Sequence, residues 1–246
     1  MDFNLMYHCV LSKSYPLSGF QNETAQEYKI DRKVFKSHLN FLIRKKVSIN
    51  FTFDDGGSSF YFVIADLLEE FGFRGIFFIS TAYIGTPGFL SINQLVELHR
   101  RGHLIGSHSH SHYTDLTVLD REVIYNDWKV SVDLLERWLG DRVTIASIPN
   151  GHSSRKVLKA ARDSGILKLY DSKPTTTIRK FEGMEVHGRF ALRKGDEIEV
   201  LELIYKSRLY RTKKLIRYIL LDLSRKILGK YYFLMNKSVK VICKKW

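Results

Sequence analysis

Cysteine is nearly absent from the chain: Cys9 and Cys243 are the two in 246 residues, with no CxxC pair. That excludes a disulfide-stapled secreted scaffold. Long apolar runs are missing as well. The longest stretch without charge, Gly75 to Val96, contains Pro87, three glycines and several polar residues, which excludes a membrane span. The start lacks the features of a secretory leader. Asp2 stands where a leader carries bases, and no apolar stretch precedes Lys13. A cytoplasmic protein is the expectation. No internal repeat or low-complexity tract is present, and 44% apolar with 26% charged residues excludes a mainly disordered chain. Acid is scarce in one place only. From Lys206 to Trp246, thirteen bases meet a single acid, Asp222, whereas residues 1–205 carry 26 bases and 25 acids. The net charge of +13 therefore belongs to the tail, and so does any argument from charge to a partner.

What is there alternates. Apolar β-rich runs at Phe3–Val10, Val47–Phe53, Gly75–Ser80, His103–Ser107 and Val143–Ile148 are separated by helical patterns. The helices are read at Asp31–Lys45, Phe60–Phe71, Ser91–Arg101, Asp120–Leu139 and Ser153–Ser164. Asp31 and Ser91 fit N-caps, and Gly72, Gly102 and Gly165 fit helix ends. Such alternation predicts parallel βαβ units, as an open sheet or a (β/α) barrel. In these folds chemistry gathers at the C-terminal ends of strands. Polar clusters follow Phe53, Gly106 and Ile148, at three such ends.

Two of the clusters carry chemistry. Thr52-Phe53-Asp54-Asp55-Gly56 sets adjacent carboxylates at a strand end. His108-Ser109-His110-Ser111-His112 puts three imidazoles in five residues. If that segment begins a helical turn, His108 and His112 face one way at i and i+4 and can share a metal ion. Two imidazoles and one carboxylate leave coordination positions open, the arrangement of a catalytic rather than a structural site. Alone, Asp-Asp-Gly is usually a turn and clustered histidines can be a surface loop; at the ends of adjacent strands they support each other.

The pair of motifs resembles the polysaccharide deacetylases of the NodB-homology type (carbohydrate esterase family 4). Leu5-Met6-Tyr7-His8, the Phe77-Phe78-Ile79 run and Ile105-Gly106-Ser107-His108 fit as well, and the resemblance covers roughly residues 3–195. It implies an α/β fold, a distorted (β/α) barrel over residues 1–205, to which 206–246 add a basic amphipathic helical tail. It implies a metal-dependent hydrolase that removes acetyl groups from N-acetylated sugars. Asp55, His108 and His112 would hold the metal (Zn²⁺ foremost, with Co²⁺, Ni²⁺ or Mn²⁺ as alternatives), and Asp54 would be the general base. Ser109 would orient the loop, and His110 would face away from the metal. Ser147-Ile148-Pro149-Asn150-Gly151 stands where the family has Arg-x-Pro-aromatic-Gly, so Ser147 replaces the arginine that braces the base. Ser147, Pro149, Asn150 and Arg189 are assigned to substrate binding, with Arg189 also a substitute for the missing brace. The family's late Leu-x-x-His motif is not present. By chain order His187 is the candidate general acid, with His8 and His152 as rivals at predicted strand ends. Asp171 falls near the fourth motif.

The tail reads as a helix over Leu201–Gly229, with Leu215, Ile219, Leu223 and Ile227 on one side and Lys213, Lys214, Arg217 and Arg225 largely elsewhere. Peripheral contact with an anionic bilayer is one reading and a helix packed on the barrel is the other. Nucleic-acid binding ranks third, since no motif accompanies the charge. With no leader in view, the expected substrate is a nucleotide- or lipid-linked saccharide precursor in surface-glycan biosynthesis, met at the inner membrane face. The rival is a degenerate deacetylase-like module that binds glycan or partner proteins without turnover.

Overall fold

The computed structural model describes residues 3–45 and 48–228. Apolar runs that would be insoluble alone line up as one curled sheet. Its strands in chain order are β1 (Phe3–Tyr7), β2 (Ile49–Phe53), β3 (Gly75–Ile79), β4 (Leu104–Ser107) and β5 (Ile145–Ser147), followed by β6 (Lys168–Tyr170), β7 (Arg179–Phe181), β8 (Met184–His187) and β9 (Phe190–Ala191). Across the sheet the order is β9-β1-β2-β3-β4-β5-β6-β8-β7, nine strands in all. Every pairing is parallel except β7 with β8. Register sets Leu5 beside Phe51, and Phe53 between Tyr7 and Phe77. β1 and β3 are buried on both faces, as parallel strands covered by helices are.

Besides a single helical turn at Glu23–Gln26, the helices are α1 (Arg32–Lys45), α2 (Ala65–Glu70, continuing a π-helical turn over Phe60–Ile64), α3 (Ile92–Arg100), α4 (Arg121–Leu139), α5 (Arg155–Asp163), α6 (Ile198–Lys206) and α7 (Arg208–Leu228). Ser91 and Gln94 form a reciprocal capping box on α3, and Gly140, left-handed at φ 68°, ends α4. The convex side of the sheet buries Phe35, Leu39, Phe60 and Leu95 against the first helices. Trp128, Val157 and Leu169 pack under α4 and α5. The concave side holds a smaller cluster, Ile76, Phe78 and Tyr170.

The barrel is distorted where it closes. β8 and β9 are not paired; Gly188 and Arg189 carry the chain from one side of the sheet to the other, beside β1. Asn4 Nδ2 donates to the Gly188 carbonyl at 3.0 Å across that seam. A Cβ on Gly188 would lie 2.3 Å from the Lys173 carbonyl oxygen, so the crossing needs glycine.

Three expectations change. The first strand stops at Tyr7, freeing His8 for the mouth of the barrel. The chain beyond Ser164 contributes four strands, including the antiparallel β7–β8 hairpin, so alternation is not strict. The helix expected over Leu201–Gly229 breaks at Ser207 into α6 and α7, so Lys206 ends α6. Gly229 and the rest of the expected tail, 229–246, lie outside the described residues. No helix among the described residues is long and apolar enough to cross a membrane.

Candidate active site

β2 ends by handing two carboxylates to the mouth of the barrel. The Asp54 N–H donates to the Tyr7 carbonyl (3.1 Å), extending the sheet by one residue. Asp55 then turns left-handed at φ 89°, and Gly56 follows at φ 94°. Neighbouring side chains on an extended strand point apart. The turn at Asp55 lets both carboxylates reach one cavity instead.

β4 delivers the histidines, though not on the expected helical turn. Ser109 (φ 62°) and His112 (φ 51°) are both left-handed, and the segment is a loop. The chain brings His108 and His112 together, but through left-handed turns rather than the expected i, i+4 helical spacing. Ser109 Oγ accepts from the His112 N–H at 3.2 Å. The buried Asp127 carboxylate of α4 accepts from the N–H groups of His110 (3.2 Å) and Ser111 (3.0 Å). His110 turns away to Thr81, 2.9 Å from its hydroxyl. Among the described residues, and apart from Glu182, every non-glycine residue with positive φ, namely Asp55, Ser109, His112 and Asn150, belongs to this site. Such strain persists only where the surroundings hold it in place.

Asp55 Oδ1 lies 3.4 Å from His108 Nε2 and 3.3 Å from His112 Nε2. The three ligand atoms fall within 4.8 Å of one another. The imidazole tautomer fits a metal. His108 Nδ1 is 3.0 Å from the Ser147 carbonyl and 2.6 Å from Ser147 Oγ, whose own proton goes to Asp54 Oδ1 at 3.2 Å. A carbonyl and a carboxylate can only accept, so Nδ1 carries the proton and Nε2 keeps its lone pair towards Asp55. Burial pushes the Asp55 carboxyl up, but its contacts with the His108 and His112 rings outweigh burial and hold it well below the ordinary carboxylate value. The residues thus fit a divalent transition metal held by one carboxylate and two imidazoles.

Asp54 is held from behind. Arg189 Nη1 and Nη2 meet its two oxygens at 2.6 and 2.8 Å, a bidentate pair that is buried on both sides. Burial raises this carboxyl too, but the Arg189 charge and hydrogen bonds outweigh burial and lower it. Arg189 Nε donates to the Asp171 carbonyl (3.1 Å), and the guanidinium lies 5.6 Å from the centre of the Phe78 ring. The Asp171 carboxylate in turn pairs with Arg179. Arg189 therefore occupies the bracing position that Ser147 leaves open. Ser147, Pro149 and Arg189 are buried outside the cavity wall and cannot touch a substrate there, which corrects their assignment to substrate binding. Asn150 does line the cavity.

The cavity has a volume of about 470 Å³. Besides the triad and Asp54 it is walled by His8, Phe20, Tyr28 and Tyr83. His187, the candidate acid, is elsewhere. It sits 3.0 Å from Glu185 and stacks on Tyr170, so chain order misplaced it. His152 also lies outside the cavity wall, half-buried near Arg225 and Asp115. His8 is the rival that the fold brings in. Its ring packs on Tyr28 at 4.5 Å, and its buried Nδ1 has no hydrogen-bond partner among the described residues. Burial lowers its pKa, against the raising charges of Asp55 and Asp54. Sequence reading missed Asp127 and the aromatic wall. Phe20 packs on the His112 ring at 4.7 Å from a stretch with no periodic pattern, where no local signal marks it.

The family model for polysaccharide deacetylases matches residues 43–168. The curated relative YxkH of Bacillus subtilis (strain 168) is 24% identical over 182 residues, 65% of this chain and 61% of that protein. The chain thus spans about three fifths of that relative's length. Among solved structures, the Streptococcus pyogenes deacetylase PplD, in complex with acetate, gives a TM-score of 0.70 at 18% identity, covering 83% of this chain and 97% of PplD. A de-N-acetylase from Aggregatibacter actinomycetemcomitans gives 0.68 at 17%, covering 82% and 99%. At these identities the structural likeness speaks for the curled α/β barrel.

Proposed function

Because the chain belongs to the polysaccharide deacetylase family, we propose that it is a metal-dependent hydrolase cleaving the N-acetyl group of an acetylated saccharide. The observation that carries this reading is the Asp55–His108–His112 triad beside an anchored, ionised Asp54 in one cavity. A divalent ion bound by the triad, with zinc the best match to the donor set, would acidify a water and polarise the acetamide carbonyl. The residues of the chain supply the rest. Asp54, kept anionic by Arg189 and aimed by Ser147, takes the proton of the water that adds to the carbonyl carbon. His8 gives a proton to the nitrogen as the C–N bond breaks, so that acetate and a free amine leave. Tyr28 and Tyr83 offer aromatic faces on which a sugar ring can rest. The family's polysaccharide chemistry supports a glycan substrate. Nucleotide- and lipid-linked precursors of surface glycans belong in the same screen.

The test is acetate release from N-acetylated hexosamine oligomers, with metal content measured on the same protein. Wild type should bind about one divalent ion and turn over. Asp54→Asn should keep the metal and lose roughly 10²–10⁴-fold in kcat. A protein that binds no divalent ion sinks the reading. One that binds metal but releases no acetate from any substrate points to the non-catalytic module, against which Arg189 on Asp54 already weighs.

A further inference from the structure

α7 meets the protein with a mixed side. Tyr210 packs on the core, and Leu215, Tyr218 and Leu221 are half-buried. Arg225 is buried and pairs with Asp115 (2.9 Å) and Asp222 (2.8 Å). Arg211 caps the carbonyls of Ile204 (2.7 Å) and Tyr205 (3.0 Å) and lies over the Phe3 ring. The outward side of α7 is apolar. Leu209 is 66% exposed, Ile216 52%, Leu220 59%, Leu223 48% and Ile227 80%. At about 100° per residue these five fall within an arc of roughly 60°. They form a continuous stripe along a 21-residue helix about 30 Å long. Of the stripe expected from four-residue spacing, Ile219, Leu223 and Ile227 are exposed, whereas Leu215 is half-buried with Tyr218 and Leu221; Leu209, Ile216 and Leu220 join the outward face.

The rim of the stripe decides what covers it. Arg208 lies along one edge, Lys213 and Arg217 along the other. The single acid of the helix, Asp222, is consumed by Arg225 and Lys226 on the packed side. A second copy would bring base against base. Folding back residues 229–246 would do the same, since they carry five lysines and no acid. An anionic lipid surface accepts both features at once. Long basic side chains can reach phosphates while the apolar stripe sinks to the acyl boundary. Apolar surface in a contiguous patch marks such an interface.

We propose that the outward stripe of α7 is the docking surface for an anionic lipid bilayer, on which the helix lies flat. This stands independently of the deacetylase reading. Its consequence for the cavity is positional. Arg225, on the packed side opposite the stripe, holds Asp115, the neighbour of the cavity-wall residue Thr114, so α7 would lie between the cavity wall and the bilayer.

The experiment is co-sedimentation of the full chain with vesicles of phosphatidylglycerol and phosphatidylcholine in equal parts, against pure phosphatidylcholine. Wild type should bind the anionic vesicles at least about tenfold more tightly. The double variant Leu220→Glu with Ile227→Glu should lose at least about tenfold of that binding. Both positions are exposed, so circular dichroism and thermal melting should match wild type. Lys213→Gln with Arg217→Gln should weaken binding to the anionic vesicles and flatten its salt dependence. Wild type that ignores anionic vesicles overturns the proposal, as does a glutamate variant that binds like wild type. Self-association in sedimentation velocity that the glutamates abolish would assign the stripe to a second copy and overturn it equally.

Discussion

Asp54 shows how one residue's chemistry is set by groups far along the chain. Without a partner, a carboxyl this buried would be pushed up and hold its proton; the Arg189 guanidinium reverses the sign. Arg189→Met should therefore let burial win, and the acid limb of kcat/KM should move up by about 1–3 pH units. Arg189→Lys, which keeps charge without the bidentate fork, should move it less. A limb that stays in place while kcat falls would mean that Arg189 only shapes the fold. At this scale the sequence was partly legible. Asp54, Asp55, His108 and His112 are identifiable because their chemistry resides in residue type and they follow strands. The left-handed turns at Asp55, Ser109 and His112 that make them converge were not. Nothing local announces a non-glycine residue at positive φ, which is held there by contacts made elsewhere.

Between residue and molecule stand the elements that hold loops in place. α4 does so through Asp127, whose two oxygens fix the N–H groups of His110 and Ser111 inside the histidine loop. Asp127→Ala should leave the helix intact by circular dichroism and weaken divalent-metal binding about 10–100-fold, the range for lost support behind a ligand. Asp127→Asn, which keeps one acceptor oxygen, should fall between; metal titration of the three proteins checks both. If all three titrate alike, the tether does not set ligand geometry. The first strands of the sheet, β1 to β4, are legible as apolar runs between helical patterns. β6 to β9 are two to four residues long, and Arg179, Lys180 and Glu185 dilute their apolar signal. The hairpin turn at Glu182-Gly183, left-handed at φ 45° and 89°, was the readable cue that the chain doubles back there.

The whole molecule joins its first strand, first helix and last crossing through buried histidines kept neutral. Tyr7 lies 3.2 Å from His38 Nδ1, and His38 Nε2 lies 2.9 Å from the Asp196 carbonyl. The carbonyl can only accept, so Nε2 carries the proton and Nδ1 accepts from the tyrosine. Burial pushes the His38 pKa down from 6.5 to about 4, against the raising effect of the Asp196 hydrogen bond. His103, between the Gly75 N–H and Glu69, is lowered the same way, burial outweighing the carboxylate. A histidine lowered in the fold takes its proton more readily once the chain unfolds. Its contribution is complete above pH 6.5 and lost as pH falls towards 4. For His38 that window is worth about 3 kcal/mol. The urea midpoint should therefore drop steeply between pH 7 and 4.5, before carboxylates such as Asp54 begin to protonate. Whatever His38→Gln does to stability at neutral pH, it should flatten that drop by about 2–3 kcal/mol. If the variant and wild type lose stability in parallel across the window, the acid sensitivity lies with other groups and His38 titrates near its ordinary value.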